Sequence, residues 1–269
     1  MTEHQKLLLS MLKAVDRLCR EQKITYLMLG GTMLGAIRHQ GFIPWDDDAD
    51  IGMPREDYER FLTVAAEKLP EPYLLRHYTK ERQVPYAFAH VENKNTTYIE
   101  ARRSGAGYRG GVYLEIFPLD AAPRTERARK RRERQVVFRK RLLYALIMER
   151  GTEGTNPVKK AGIGLLRRLF TIDGSVRRLD ALLQKDWQEQ PEVYGNLLGH
   201  WGRKENIPSP VLFPAKEYRF EDTFLYGAGQ PEAYLTSLYG PDYQIPPSEE
   251  EREAGKHRAK LADFATPFR

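Results

Sequence analysis

The chain has 269 residues and carries 43 Lys and Arg side chains against 37 Asp and Glu, a formal net charge of +6 at pH 7. This length allows one large domain or two small ones. The single cysteine, Cys19, excludes an intramolecular disulfide and suits the reducing cytosol. No signal-peptide pattern is present, and no apolar run approaches the roughly 18 residues of a membrane-spanning helix. We therefore expect a cytoplasmic protein, either soluble or peripheral at the inner face of the membrane.

The order of apolar and polar residues predicts helices and strands that alternate along the chain. Helices are expected over 4–21, 32–38, 54–69, 174–190 and 231–239, and strands over 26–29, 73–77, 85–92, 96–101 and 111–117. The first strand and the second helix enclose Gly30 and Gly31, where the most informative stretch of the sequence begins.

The turn at Gly30 and Gly31 has the features of a phosphate-binding turn. Glycine lets the backbone approach a ligand closely, and the N–H groups at the start of the following helix favour an anion. Thr32 is expected either to cap this helix or to bond a phosphate oxygen. Taken alone, a Gly-Gly pair after a strand is more often an ordinary turn, so this interpretation depends on the residues that follow.

A cluster of carboxylates follows at Asp46, Asp47, Asp48 and Asp50. Because side chains alternate along a strand, Asp48 and Asp50 are expected on one face. Neighbouring carboxylates repel each other unless one is protonated or a cation lies between them, and hard oxygen ligands suit Mg²⁺ or Mn²⁺. A solvated acidic loop is the alternative. A calcium loop does not fit, because Ile51 stands where the sixth position needs glycine.

The segment GGTMLGAIRHQGFIPWDDDADIGMPREDYERF, which begins at Gly30, resembles the signature of the LicD family in the nucleotidyltransferase-fold superfamily. NKNTTYIE at 93–100, GVYLEIFPLD at 111–120 and YLTSLYGPDYQIPP at 234–247 agree with it. The resemblance implies an α+β fold: a nucleotidyltransferase-like mixed β-sheet core flanked by helices, with a helical insertion and a C-terminal extension. It also implies transfer of a phospho-alcohol, commonly phosphocholine, from a CDP-activated donor to a surface glycan such as lipopolysaccharide or teichoic acid. Fukutin-type proteins are distant relatives of this family.

A third carboxylate is predicted on a neighbouring strand. Glu115 lies within the alternating run 111–117, where a charge is costly to bury without a partner. The resemblance implies that Glu115 joins Asp48 and Asp50 at a metal ion, although the family usually has aspartate at this position. A glutamate facing water from an edge strand is the alternative. Asp120 is expected to bond backbone N–H groups of the following turn.

Together with the resemblance, these residues imply a metal-dependent phosphotransferase of the CDP-alcohol type. Mg²⁺ or Mn²⁺ on Asp48, Asp50 and Glu115, with Asp46 as a further ligand, would bridge the donor diphosphate. Either Glu115 or Asp46 would accept the proton of the attacking sugar hydroxyl. CDP-choline is the expected donor, and the glycan acceptor is either free or lipid-linked.

The phosphates of the donor are expected at Gly30, Gly31 and Thr32, with Arg38 adding positive charge and the role of His39 undecided. Two alternatives stay open. One is a nucleotidyltransferase that makes an NDP-activated product, which would release pyrophosphate instead of CMP. The other is a non-catalytic protein that binds a glycan or a membrane on the same scaffold.

Composition divides the chain into three expected parts. Residues 1–122 form the catalytic core, residues 123–190 a basic helical region on the acceptor or membrane side, and residues 191–269 a C-terminal segment that packs back on the core. Residues 124–141 hold ten Lys or Arg against two Glu. Contact of residues 124–170 with an anionic membrane, a solvated basic face and glycan binding are all open. No nucleic-acid partner is expected, because no recognised motif accompanies the charge.

Overall fold

The computed structural model describes residues 1–100, 109–147, 157–250 and 259–268. Within these residues the helices are α1 (Glu3–Gln22), α2 (Gly30–His39), α3 (Arg55–Lys68), α4 (Glu126–Ile147), α5 (Pro157–Leu169), α6 (Ile172–Leu183), α7 (Ser209–Leu212) and α8 (Pro231–Tyr239). The strands are β1 (Leu27–Met28), β2 (Asp50–Pro54), β3 (Tyr73–Arg76), β4 (Ala89–Asn93), β5 (Thr97–Glu100), β6 (Tyr113–Ala121), β7 (Val193–Gly195), β8 (Asn206–Pro208), β9 (Lys216–Phe220), β10 (Thr223–Gly227) and β11 (Ala259–Asp263). Short 3-10 helices cover Gln184–Asp186 and Gly202–Glu205. Across this described part, none of the helices combines the length and the apolar composition that crossing a bilayer requires.

A mixed sheet forms the centre of the molecule, with the strand order β1-β2-β6-β4-β3. β2 and β6 run parallel, whereas the other neighbours in this order are antiparallel. β7 extends the sheet from the end of β6, and β8 pairs with β7. The pairs β9–β10 and β5–β11 lie outside this sheet. The expected mixed sheet flanked by helices is therefore confirmed.

α1 packs on the core through an amphipathic stripe and also holds the loop before β2. Four apolar side chains of this stripe are almost fully buried: Leu8, Met11, Leu12 and Val15. Gln5, in the first turn, donates hydrogen bonds from its side-chain amide to the carbonyl oxygens of Ile43 and Asp46, at 3.2 and 3.0 Å. The packing of α1 thus fixes the start of the acidic loop. Cys19 is buried on the same helix, and burial raises the pKa of its thiol, which makes it unreactive.

β6 is longer than the strand predicted from the alternation at 111–117, and Asp120 lies inside it. Its two carboxylate oxygens accept hydrogen bonds from Nε and an Nη atom of Arg55, both at 2.8 Å. The expectation that Asp120 bonds the N–H groups of a turn is wrong. Because β6 continues by pairing with β2 and β7, the side chain enters the core, where a guanidinium can satisfy both oxygens.

Arg55 joins three elements of the fold through buried charges. It lies at the start of α3, Asp120 lies on β6, and Asp180 on α6 pairs with the same guanidinium at 3.1 Å. All three side chains are buried. Asp180 also accepts a hydrogen bond from the Tyr78 hydroxyl at 2.6 Å. Since an unpaired buried charge is costly, this network is needed for α6 to pack beside the sheet.

Replacing Arg55 with methionine should lower the free energy of unfolding by about 3–5 kcal/mol, because Asp120 and Asp180 lose their buried cation. Arg60 on the same helix is the matched control: its side chain is 49% exposed and pairs with Asp57 at 2.6 Å. Arg60→Met should cost less than about 1 kcal/mol. Chemical denaturation measures both variants, and equal losses would contradict the role given to the buried network.

Candidate active site

The centre of the site is a row of polar side chains that crosses the sheet. β2 and β6 pair with Asp50 opposite Glu115, and β6 and β4 pair with Glu115 opposite His90. The row ends on β3, where Arg76 lies opposite His90. Directly paired residues place their side chains on the same face of a sheet. The structure thus brings Asp50 and Glu115, two of the predicted carboxylates, together on neighbouring strands.

Asp46 and Asp48 approach this pair from the loop before β2. The strand begins at Asp50, so the expectation that Asp48 lies on a strand is wrong. Pairing of β2 with β6 begins at Asp50, opposite Glu115, so Asp48 precedes the paired residues. Asp46 and Asp48 are close enough to share a hydrogen bond. Burial, the charge of Asp48 and this hydrogen bond raise the pKa of Asp46 to about 8.

The charge of Asp50 is unfavourable where the side chain lies. Its Oδ1 atom is buried and has no hydrogen-bond partner among the residues that the structure describes. Burial first, and then the charges of Asp48, Glu115 and Asp46, raise the pKa of Asp50 well above its usual value. A cation bound between these carboxylates would relieve the repulsion.

Gly30 and Gly31 begin α2 directly beside these carboxylates. Gly30 has φ +47°, in the left-handed region that favours glycine. An oxygen of Asp46 lies 2.7 Å from the place where a Cβ at Gly31 would be, so a larger residue would displace the carboxylate. The N–H of Gly30 donates to the Tyr234 hydroxyl at 3.0 Å. The next N–H groups belong to the first helical turn and have no acceptor within the helix.

Thr32 does not cap α2. The helix begins at Gly30, and the N-cap residue Leu29 has no capping side chain. The Thr32 hydroxyl instead accepts a hydrogen bond from the backbone N–H of Asp50 at 2.8 Å. This contact ties the first turn of α2 to the start of β2 and leaves the hydroxyl hydrogen able to donate.

Arg38 and His39 lie at the other end of α2, about 12 Å along the helix axis from Gly30. Arg38 Nε donates to His39 Nε2 at 3.0 Å, and an Nη atom donates to the carbonyl oxygen of Tyr243 at 3.3 Å. Partial burial and the Arg38 charge lower the pKa of His39, so its ring is neutral at physiological pH. The structure therefore does not bring these two residues to the glycine turn.

Glu205 and Lys140 reach the site from regions that the sequence did not connect with it. Glu205 accepts hydrogen bonds from the Trp201 N–H at 2.9 Å and the Asn196 amide at 2.7 Å. Burial outweighs these bonds and raises the pKa of Glu205 to about 7. Burial lowers the pKa of Lys140 on α4, and the charges of Glu205 and Glu115 oppose this effect. One lysine in a run of ten cations gives no distinguishing sequence signal.

Tyr234 and Tyr239, both on α8, border the carboxylates from the C-terminal part of the chain. Burial is the main cause that raises the pKa of each hydroxyl, and the charge of Asp50 is a further cause for both. Both hydroxyls therefore stay protonated and able to donate. The stretch YLTSLYGPDYQIPP, which contains them, was the signal that could have found them.

His90 is fully buried between two tyrosine rings and touches Glu115. Its ring centroid lies 4.3 Å from that of Tyr113, with the planes 3° apart, and 3.9 Å from that of Tyr86. Nε2 lies 3.3 Å from Glu115 Oε1, and Nδ1 lies 3.5 Å from Glu92 Oε1. The stacked rings prevent the imidazole from turning, so His90 holds the Glu115 carboxylate in one position.

The carboxylates fit a divalent cation in charge and in ligand chemistry. Asp46, Asp48, Asp50 and Glu115 supply hard oxygen atoms, and the partnerless Oδ1 of Asp50 is available within the described part of the chain. In this same part, no three His, Cys, Asp or Glu side chains are already gathered closely enough to hold an ion. Mg²⁺ keeps several waters and binds substrate phosphate, so it does not need a complete protein cage.

Comparison with known proteins identifies the region that contains most of these residues. Residues 23–147 match the family model described as LicD/FKTN/FKRP, nucleotidyltransferase domain. This part of the chain is therefore similar to the LicD family. The matched residues include the glycine turn, the acidic loop, Lys140 and Glu115, whereas Glu205 and the two tyrosines of α8 lie outside them.

Similarity to known proteins also extends beyond residues 23–147. The lipopolysaccharide cholinephosphotransferase LicD of Haemophilus influenzae is 28% identical over 267 residues, which cover 93% of this chain and 94% of the relative. An uncharacterised protein of Rickettsia typhi is 39% identical over 70 residues, covering 26% of this chain and 23% of that protein. Another from Rickettsia prowazekii is 48% identical over 50 residues, 19% of each chain.

At about pH 7.5 without divalent cations, Asp50→Asn should stabilise the protein by about 1–3 kcal/mol, the usual cost of a buried unsatisfied group. Because the folded-state pKa of Asp50 is raised, the parent side chain stabilises the fold only at low pH. This contribution to the free energy of unfolding is complete below the unfolded-state pKa and is lost as the pH rises through the folded-state pKa. The gain should therefore shrink toward pH 4. Thermal unfolding at both pH values measures this. If the variant were less stable than the parent at pH 7.5, the Asp50 carboxylate would instead stabilise the fold, which would contradict this prediction.

Proposed function

We propose that this protein transfers a phospho-alcohol group, phosphocholine above others, from a CDP-activated donor to a sugar hydroxyl of a cell-surface glycan or its lipid-linked precursor. The Haemophilus influenzae relative, matched over 94% of its length, is named for cholinephosphate transfer. The observation that carries the proposal is the pairing of Asp50 with Glu115 beside the glycine turn. It puts anionic ligands and backbone donors at one place, as transfer of a phosphoryl group requires.

The proposal includes a divalent cation, Mg²⁺ or Mn²⁺, which Asp48, Asp50 and Glu115 would hold, with Asp46 as a further ligand. When bound, such a cation offsets the charge that develops on the leaving CMP. The four carboxylates supply the hard oxygen atoms. Burial first, and then repulsion between the carboxylates, raises the pKa values of Asp46 and Asp50, and a bound cation would counter this repulsion.

The start of α2 would bind the diphosphate of the donor. The first-turn N–H groups at Gly31 and Thr32 attract an anion, and the helix dipole strengthens this attraction. The Thr32 hydroxyl, which already accepts from the Asp50 N–H, donates its hydrogen to a phosphate oxygen. Arg38, about 12 Å away at the other end of α2, does not reach a diphosphate bound at this turn.

The transfer forms one bond and breaks one. The sugar hydroxyl oxygen attacks the phosphorus that carries the alcohol, and the bond from that phosphorus to the oxygen of CMP breaks, so that CMP leaves with the electron pair. The sugar proton passes to a carboxylate, and Asp46 and Glu115 are the candidates.

Turnover should fall by on the order of 1000-fold in Asp48→Ala and Asp50→Ala, the loss typical when a group that stabilises developing charge is removed. Asp47→Ala is the matched control from the same loop and should stay within a few fold of the parent. The assay combines the enzyme with labelled CDP-choline, Mg²⁺ and purified lipopolysaccharide, and it measures the amounts of CMP and labelled glycan that form.

Other results would refute this proposal. Pyrophosphate released from CTP, without CMP, would establish nucleotidyl transfer instead. Binding of glycan with neither product would establish a non-catalytic protein. If the Asp48 and Asp50 variants both kept the turnover of the parent protein, the proposed active site would be wrong.

His90→Ala should weaken Mn²⁺ binding by about 10- to 100-fold, as is typical when the residue that orients a metal ligand is lost. His77 is the matched control, because it is also buried and packs against two tyrosine rings, those of Tyr58 and Tyr78. His77→Ala should leave Mn²⁺ binding unchanged, and His90→Gln should recover part of it through its side-chain N–H. Calorimetry measures binding, and melting temperatures compare the folding cost. Equal effects at both histidines would give His90 a packing role alone.

A further inference from the structure

Eight of the ten basic side chains of residues 124–141 fall into two groups. Some hold α4 in place: Arg132 pairs with Asp186, Arg129 donates to a backbone carbonyl at 2.7 Å, and Lys140 donates to the carbonyl oxygens of Leu198 and Gly199. The others face solvent along one side of the helix, and we call them the basic stripe: Arg127, Lys130, Arg131, Arg134 and Arg141.

The basic stripe is not balanced by acidic neighbours. Its members recur three and four residues apart, which places them on one face of α4. Among the described residues, the ion pair that involves the stripe is a 3.9 Å contact of Lys130 with Glu126. Four members line a shallow groove together with Gln135 and Phe138. A concentrated positive charge of this kind attracts an anionic surface.

Apolar side chains lie within and beside the stripe. Phe138, in the groove, is 69% exposed, and Val137 and Tyr144 flank it with 40% and 49% exposed. α5, which packs against α4, exposes Leu165 and Leu169 one turn apart, 58% and 66%. Burying an aromatic or aliphatic side chain of this size is favourable by roughly 1.5–3 kcal/mol. The face is therefore suited to a partner that is both anionic and apolar.

We propose that the outer face of α4, the basic stripe with Phe138, binds the surface of an anionic lipid bilayer. Arginine and lysine stems cover apolar surface while their charged ends reach lipid headgroups, and Phe138 enters the boundary of the acyl chains. A nucleic-acid duplex or a free anionic glycan accounts for the charge but gives the exposed phenylalanine no apolar surroundings. The bilayer therefore fits both observations.

Membrane binding through α4 would place the site close to a lipid-linked sugar acceptor. Lys140, on the inner side of the same helix, contacts the loop that leads to Glu205, beside the carboxylate cluster. The bound surface would hold the site next to lipid-linked sugars. This last step rests on the proposed function, whereas membrane binding does not and is tested without any measurement of transfer.

The experiment is sedimentation with phosphatidylcholine vesicles that contain or lack phosphatidylglycerol. The parent protein should bind the anionic vesicles, and Arg127→Gln/Arg131→Gln/Arg134→Gln should bind on the order of 100-fold more weakly, since each cation near such a surface contributes roughly a fivefold factor. The control removes three exposed cations elsewhere, Lys6→Gln/Arg17→Gln/Lys80→Gln, and should lose less than about threefold. Melting temperatures verify that both triple variants are folded.

Phe138→Ser separates the bilayer from a soluble polyanion. It should weaken vesicle binding by about tenfold and leave binding to heparin unchanged, because burial of the ring in lipid is lost while the charge is kept. Equal vesicle binding by the two triple variants would overturn the docking face. Vesicle binding unaffected by Phe138→Ser, with heparin bound as tightly as vesicles, would overturn the bilayer in favour of a polyanionic partner.

Discussion

The register between β2 and β6 is the constraint on which the site depends. Backbone hydrogen bonds set Asp50 opposite Glu115, so two carboxylates are neighbours whatever their protonation state. β6 is paired on both sides, and its far end is anchored by Asp120 to Arg55. A shift of one residue would turn Glu115 to the opposite face and unpair that anchor. The repulsion in the cluster is therefore built into the sheet, which a flexible loop could not maintain.

The neighbours of the carboxylate pair keep it in place without neutralising it. His90 is wedged between Tyr86 and Tyr113 and holds Glu115. Lys140 attracts Glu115, but its ammonium group already donates to two backbone carbonyl oxygens. An acidic centre therefore persists in a chain whose net charge is +6. Such a centre is favourable for binding a cation and unfavourable for the fold, which is expected where function and stability conflict.

Local patterns predicted what depends on neighbouring residues in the chain. The alternation around Glu115 was enough to expect it on a strand, the family resemblance implied that this strand lies beside Asp50, and the paired strands agree with both. The errors at Asp48 and Asp120 share one cause, because where a strand begins and ends is decided by its partners. Glu205 arrives from about 90 residues beyond Glu115 in sequence, so tertiary packing alone brings its charge to the site. Neither composition nor spacing encodes that approach.

α4 belongs both to the site and to the surface that we propose for membrane docking. Lys140 and Phe138 are two residues apart, so their side chains diverge by about 200° around the helix axis. The helix cannot rotate to improve one contact without losing the other. With side chains it is about 10–12 Å across, so a bilayer on its outer face would lie about one helix diameter from the loop that leads to Glu205. A sugar linked to a lipid in that bilayer would reach the carboxylates without leaving the surface. The soluble donor would enter from water at the glycine turn, which is why the two binding functions lie on separate elements.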